Sequence, residues 1–468
     1  MTRIVRVIAV PAAGAYYTED LAALQSNPIP LAKRYTATPV TPGFHHVRQV
    51  AEAVSVGLVL EELPVGAPSS AVAWGDCVAV AYSGKAGRDP VFRAEDGLAT
   101  IARAVGPALQ GRELTGFREV AAEIDTLRER IEIVRPAPQP KGMTRRDLLT
   151  APARLLRAAR GEEEKEEETP MERVTVERRL HTAVRYGVSQ ALLQAVALAR
   201  GVTMAEVIAH EWGLPLPDAQ VPVHAQCGAD RYAGADKMIA RRVASLPHAL
   251  VDDVPNQLGA AGDKLTRYVR WLKQRIAELG GPDYRPTIHL DVHGALGQIF
   301  ENNLGRVLGQ LYALESAAKP YPLRIESPVM MESRAAQIEA MKTLCDYARG
   351  RKMQVQLVAD EWANTLEDIQ AFVDAQAAHV IQIKMPDLGG VHNAIDAVLA
   401  CQVGGVGAFL GGSCAETDLS ARAAVHVALA TRPEIVMARP GMGVDEGISL
   451  VQNEMTRALA WIRARNPL

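Results

Sequence analysis

From about residue 214 onward, short apolar runs rich in β-branched residues alternate with longer stretches of helical periodicity. The runs are Val221–Cys227, Leu246–Val251, Thr287–Val292, Leu323–Ser327, Val355–Ala359, Val380–Lys384, Val406–Leu410 and Ile435–Ala438. A strand apolar along its whole length is covered on both faces, and covered strands alternating with helices make a parallel sheet. Eight such repeats predict a closed (β/α)8 barrel of the TIM type, a fold of about 250 residues. Helix ends agree with this division. Thr365-Leu-Glu-Asp368 reads as a capping box, and Gly350 as the C′ glycine of the helix before it.

A chain of 468 residues leaves room for a second domain ahead of the barrel. The opening residues, Met1 to Val10, read as a first strand rather than a secretion signal. Val54–Leu63 and Ser70–Ala81 have the pattern of sheet, Phe92–Leu109 and Phe117–Ile133 that of helix. Residues 1–213 are therefore expected to form an α+β capping domain, and 214–468 the α/β barrel. A flexible insert is expected near 135–172, where Pro136-Ala-Pro-Gln-Pro140, a basic amphipathic stretch (Arg145–Arg160) and the Glu-rich Gly161–Thr169 follow one another. Its basic part reads either as a small helix for a membrane or partner, or as charge neutralised by the neighbouring acids.

Composition narrows the partners. With 48% hydrophobic and 22% charged residues and a net charge of −3, the chain has no basic excess that would suggest nucleic-acid binding. No apolar stretch approaches the roughly 20 residues of a membrane span. Cys77, Cys227, Cys345, Cys401 and Cys414 are odd in number and scattered, which points to a reducing cytoplasm.

Barrel active sites form at the C-terminal strand ends. Read in order, those ends carry Gln226, His248, Asp291, Glu326, Asp360 and Lys384, with Ser413 and Cys414 after the seventh strand. Neighbouring strands lie about 4.8 Å apart, so Asp291, Glu326 and Asp360 can converge on one ion. An all-carboxylate set suits a hard cation, magnesium before manganese. Glu361 and Asp387 lie close enough to compete for the ligand role, and each acid taken singly also fits a helix N-cap. Lys384 beside a dication is a candidate general base, with Gln382 on the same face of its strand; the bland alternative is a lysine snorkelling at the barrel rim. His248, by itself a plausible core histidine, stands four strands away in a ring of eight. The two would flank a chelated substrate, an arrangement suited to proton abstraction beside a metal-bound carboxylate.

At these residues the sequence resembles methylaspartate ammonia-lyase of the enolase superfamily. The matching motifs are Gly75-Asp-Cys77, Tyr82-Ser-Gly84 and Gly87-Arg-Asp-Pro90, then Arg179 to Gly187 and Asp230-Arg-Tyr232. In the barrel they are Leu246-Pro-His248, Val358-Ala-Asp-Glu-Trp362, Gln382-Ile-Lys384, Pro386 to Gly390 and Pro440 to Gly447. The resemblance implies reversible elimination of ammonia from L-threo-3-methylaspartate to mesaconate. By it, Asp291, Glu326 and Asp360 match magnesium ligands, Lys384 the base for the (2S,3S) substrate, and His248 the residue on the opposite face. Gln226, Gln382, Ser413 and Cys414 match substrate contacts. It further implies a homodimer activated by potassium. The chain departs from the family pattern with Ser413 in place of threonine, Ala81 in place of glutamine, and the insert, which has no counterpart. A dehydratase or racemase of the same superfamily, or a barrel that only binds, are the rival readings.

Overall fold

The computed structural model describes residues 2–26, 29–63, 70–82, 84, 86–136, 171–228, 230–251, 253–413, 415–439 and 441–466. They form two compact units, one of Met1–Thr126 with His181–Leu468, the other of Leu127–Leu180.

In the first unit, strands β1 (Arg3–Glu19), β2 (Arg48–Glu61) and β3 (Ser70–Cys77) make an antiparallel sheet in that order. Along β2 the even positions Val54, Val56, Leu58 and Leu60 are fully buried, the period-two pattern of a strand with one face on a core. The helix Thr182–Arg200 packs on β3 at two glycines. A Cβ at Gly75 would strike the carbonyl of Gly187, and one at Gly187 the backbone of Cys77. The segment read as one helix, Phe92–Leu109, is helical over Ala94–Leu109 with a π-helical turn at Ile101–Val105.

The second helix is shorter than expected. It spans Phe117–Thr126, and Arg128–Pro136 forms strand β4 of the second unit, antiparallel to β5 (Met171–Arg179). The reason is in the pattern: Arg128-Glu-Arg-Ile-Glu-Ile133 places Ile131 and Ile133 two apart, a strand's period. Opposed charges then face each other across the ribbon, Glu129 against Arg178 at 3.0 Å. The remainder of the expected insert, residues 137–170, lies outside the described residues.

The barrel is present as expected. Strands β6 (Val223–Ala225), β7 (Ser245–His248), β8 (Thr287–Asp291), β9 (Leu323–Glu326), β10 (Gln356–Ala359), β11 (Val380–Ile383), β12 (Gly407–Leu410) and β13 (Ile435–Ala438) close in parallel, β13 pairing with β6. Val358, Val380, Phe409, Ile435 and Met437 fill part of its interior. Thr365 and Asp368 make the expected capping box. Gly350 is instead the last helical residue, and the left-handed turn falls on Lys352 at φ +55°. Among the described residues, no single helix is long and apolar enough to cross a membrane.

The strand ends turn sharply. His293, Ser327 and Trp362, each one or two residues past an acid, sit at φ +43°, +47° and +67°, and His248 and Ala249 at +65° and +46°. Left-handed residues other than glycine cost about 1–3 kcal/mol each and persist only where their surroundings enforce them. These five lie around the mouth of the barrel, where the candidate residues are, while others such as Glu62, Lys352 and Arg432 lie elsewhere.

Candidate active site

In the β8–β9 ladder Asp291 is the register partner of Glu326, while Glu326 faces Val358 on β10. Asp360 therefore stands two residues nearer the mouth. All three acids are buried and line one cavity. Glu326 is gripped on both oxygens, with His289 Nε2 2.7 Å from Oε2 and Gln382 Nε2 donating to Oε1 at 2.6 Å. Asp291 accepts from the backbone N–H of His293 at 2.9 Å. Burial, reinforced by the Asp360 charge, pushes Asp291 up to about 7. Burial and its acidic neighbours raise Glu326 well above the carboxylate range. Acids held together at this cost are what a cation would relieve.

Lys384, just past β11, lies with its Nζ 2.7 Å from the Asp360 carboxylate. Burial works against its charge, yet Asp360 holds its pKa above the usual lysine value. Beside this pair a second cation enters from the loop after β3. Arg88 donates from Nε to Asp387 at 2.9 Å and from Nη1 to Glu361 at 3.0 Å, with its side chain buried. Burial would raise Glu361, but the charges of Arg88, Lys384 and His293 together hold it down to about 2. The two acids that might have competed for a metal are thus engaged elsewhere. Asn364 pins the same loop by donating to the Ala86 carbonyl at 2.6 Å.

The opposite side of the mouth is built from imidazoles. His248 Nε2 is 3.5 Å from Asp291 Oδ2, and its Nδ1 is 3.3 Å from Nε2 of His224. His224 and His289 are completely buried. Burial, then the charge of Lys384, pushes His248 down to about 3. Among the described residues, two groups could hold a metal: His248 with Asp291 and Glu326, and His224 with His248 and His289, the nitrogen or oxygen atoms of each lying within 4.8 Å of one another. The His224 and His289 rings are 4.5 Å apart and tilted by only 34°, so their in-plane lone pairs run side by side instead of converging. The carboxylates offer the better seat, and oxygen ligands suit magnesium. Asp360 stands beside that seat with Oδ2 bonded to Lys384 and Oδ1 buried without a hydrogen-bond partner.

Gln226, Gln382 and Ser413 line the same cavity. Gln382 Oε1 is buried without a hydrogen-bond partner, and the strand-following glycine makes room for it: a Cβ at Gly411 would lie 2.6 Å from Gln382 Cγ. The Ser413 hydroxyl donates to Ala79 O at 3.3 Å and accepts from Ala415 N at 3.2 Å. Cys414 lies outside the described residues. Ala81 lines the cavity beside Val80 and Tyr82. His224 and His289 were not among the residues singled out from sequence, and Arg88 entered only within the motif Gly87-Arg-Asp-Pro90, with no role assigned. Period-two alternation does mark the first two, since His224 precedes Gln226 by two and His289 precedes Asp291 by two.

Residues 215–464 match the family model described as the C-terminus of methylaspartate ammonia-lyase, and residues 2–162 and 153–213 match that of its N-terminus. The chain is 43% identical over 463 residues to methylaspartate ammonia-lyase 2 of Carboxydothermus hydrogenoformans, covering 99% of both. It superposes on the magnesium complex of β-methylaspartase from Clostridium tetanomorphum with a TM-score of 0.82 at 40% identity, covering 99% of this chain and 100% of that one. The methylaspartate ammonia-lyase of Citrobacter amalonaticus containing (2S,3S)-3-methylaspartic acid gives 0.84 at 40% identity, over 98% and 100% of the two chains.

Proposed function

Because this chain belongs to the methylaspartate ammonia-lyase family, we propose that it eliminates ammonia reversibly from L-threo-3-methylaspartate to give mesaconate. The observation that carries this reading is the gathering of three buried acids and a lysine at one barrel mouth.

Asp291, Glu326 and Asp360 would hold a magnesium ion, whose charge would stabilise the negative charge that builds on a substrate carboxylate as the C3 proton leaves. Relatives crystallised with magnesium and with the substrate support this assignment. Lys384 Nζ takes the C3 proton of the (2S,3S) substrate. Its present partner, Asp360, keeps it protonated, and engagement of Asp360 as a ligand removes that restraint. His248 faces the substrate from the other side. Gln382 offers its unpaired Oε1 to a substrate N–H, while Gln226, Ser413 and Cys414 hold the second carboxylate. Arg88 keeps Glu361 and Asp387 out of the metal's reach.

The same reading makes the protein a cytoplasmic homodimer with potassium as activator, acting on a small dicarboxylate amino acid and not on nucleic acid or membrane. The ultraviolet absorbance of the conjugated product tests it. Magnesium-loaded protein given 3-methylaspartate raises that absorbance if it is a lyase. A racemase or dehydratase acting elsewhere on the molecule leaves it flat, and a flat trace from folded, metal-loaded protein overturns the proposal.

A further inference from the structure

Behind His248 runs a short chain of polar groups with no exit to solvent. His224 on β6 and Ser245 on β7 are register partners, and both are completely buried. His224 Nδ1 lies 2.9 Å from Ser245 Oγ, and its Nε2 lies 3.3 Å from His248 Nδ1. From there His248 presents Nε2 to the cavity, near Asp291. Both rings are buried, where an unpaired charge is costly, and their nitrogens meet at 3.3 Å, a contact that holds a single proton.

Two neutral imidazoles meeting through one nitrogen each have a single proton to share at that contact. One must donate and the other accept, which couples their tautomers. A serine hydroxyl at the far end both donates and accepts, so the chain can run in either sense. In one, Ser245 donates to His224, His224 donates to His248 Nδ1, and His248 Nε2 carries a proton. In the other, His248 Nδ1 donates to His224, His224 donates to Ser245, and His248 Nε2 has a free lone pair.

We propose that His224, backed by Ser245, is a positioning residue that sets the tautomer and aim of the His248 ring for reaction on the substrate face opposite Lys384. The inference rests on the lyase reading above. β7 and β11 are four strands apart in the closed ring, so a substrate between them offers one face to each base. For the (2S,3R) epimer, whose C3 proton points toward β7, the second sense of the chain is the reactive one. The C3–H bond breaks and its proton goes to His248 Nε2. The electron pair left behind becomes the C2–C3 double bond as the C2–N bond breaks and ammonia departs with its pair. The imidazolium so formed keeps its Nδ1–H on His224, which stays neutral. Amine addition reverses each transfer.

The experiment compares the two epimers in the full-length, magnesium-loaded protein. His224→Phe retains a planar ring against Phe409 and His289 but cannot hydrogen-bond. It is expected to lower kcat for the (2S,3R) epimer by about tenfold or more, the scale on which the orienting partner of a histidine acts. KM and turnover of the (2S,3S) epimer should stay within about twofold, since Lys384 is untouched. His224→Gln, which can donate or accept, should recover part of the loss, and Ser245→Ala provides a milder lesion should His224→Phe fold poorly. Equal losses on both epimers, no loss on either, or a wild-type protein that turns over only the (2S,3S) epimer each overturn the inference while leaving the lyase reading intact. A wild-type protein inactive on both epimers removes that reading, and with it the premise.

Discussion

The two sides of the barrel mouth solve the same problem, holding a polar side chain in a buried place, by opposite means. On the Lys384 side the solution is charge. Lysine, arginine and carboxylates alternate through Asp360, Glu361, Asp387 and Arg88, each ion bonded to one of opposite sign. On the His248 side it is neutrality, with imidazoles bonded to one another and to a serine. Ion pairs exchange partners when a new charge arrives, whereas a neutral chain can only reverse its sense. A metal held by the acids would therefore act on the Lys384 side by rearranging its ion pairs, while on the His248 side, 3.5 Å from Asp291, it would meet neutral rings.

Removing the lysine breaks the contrast most severely. Lys384→Ala should cut turnover of (2S,3S)-3-methylaspartate by about a hundredfold to ten-thousandfold, the usual worth of a general base. Magnesium binding, followed by calorimetry, should survive, because the three acids remain. Unchanged turnover would take the base role from Lys384.

Arg88→Gln strikes the same side without touching the base. Breaking a buried ion pair from one end typically costs about 3–5 kcal/mol because the other charges stay buried, and here two acids lose their partner. Chemical denaturation of the magnesium-free protein should register a loss of that order. A second consequence sharpens the point: Glu361 and Asp387, released, should compete for magnesium and weaken its binding.

His289→Phe, which cannot hydrogen-bond, lies between the two sides, since His289 sits among the imidazoles yet holds Glu326. Losing such an outer partner commonly costs about 10–100-fold in metal affinity. An affinity equal to wild type would mean that Gln382 alone suffices to orient Glu326.

The smallest effect is one of pH. In the metal-free protein Asp291 is raised to about 7 from an ordinary value of 3.8. Between those values the folded state binds a proton that the unfolded chain does not, so stability falls as pH rises from about 4 to 7. Magnesium held by these acids would require their ionised forms, so the rise in Tm on adding it should grow across the same interval. A magnesium effect that is flat with pH would place the ion away from Asp291.

The barrel and its acids were legible because they obey simple rules. Buried parallel strands are apolar along their whole length, and polar residues that end such strands converge geometrically. His224 and His289 escaped notice because an inward histidine one pleat below the mouth looks like any buried core residue until its neighbours are known. The role of Arg88 escaped for a different reason: its partners lie far along the chain, 273 and 299 residues away, and no local pattern reports such a pairing. The ribbon strand after Thr126 was missed because its alternating charges also fit the exposed face of a continuing helix. The Gly350 reading failed narrowly, since the helix runs through Gly350 itself and Lys352, two residues on, takes the left-handed turn.

At the base of the β4–β5 ribbon the backbone N–H of Leu180 donates to the carbonyl of Leu127 at 3.2 Å. Departure and return are thus stitched together before the ribbon begins. Whatever lies beyond Pro136 and before Met171 can lengthen, shorten or change in composition while the ends remain the same distance apart, and the closure entropy of a loop grows only slowly with its length. This makes the ribbon a socket in the chain: a tag, a fluorescent protein or another domain spliced there should leave the ribbon's register as it is.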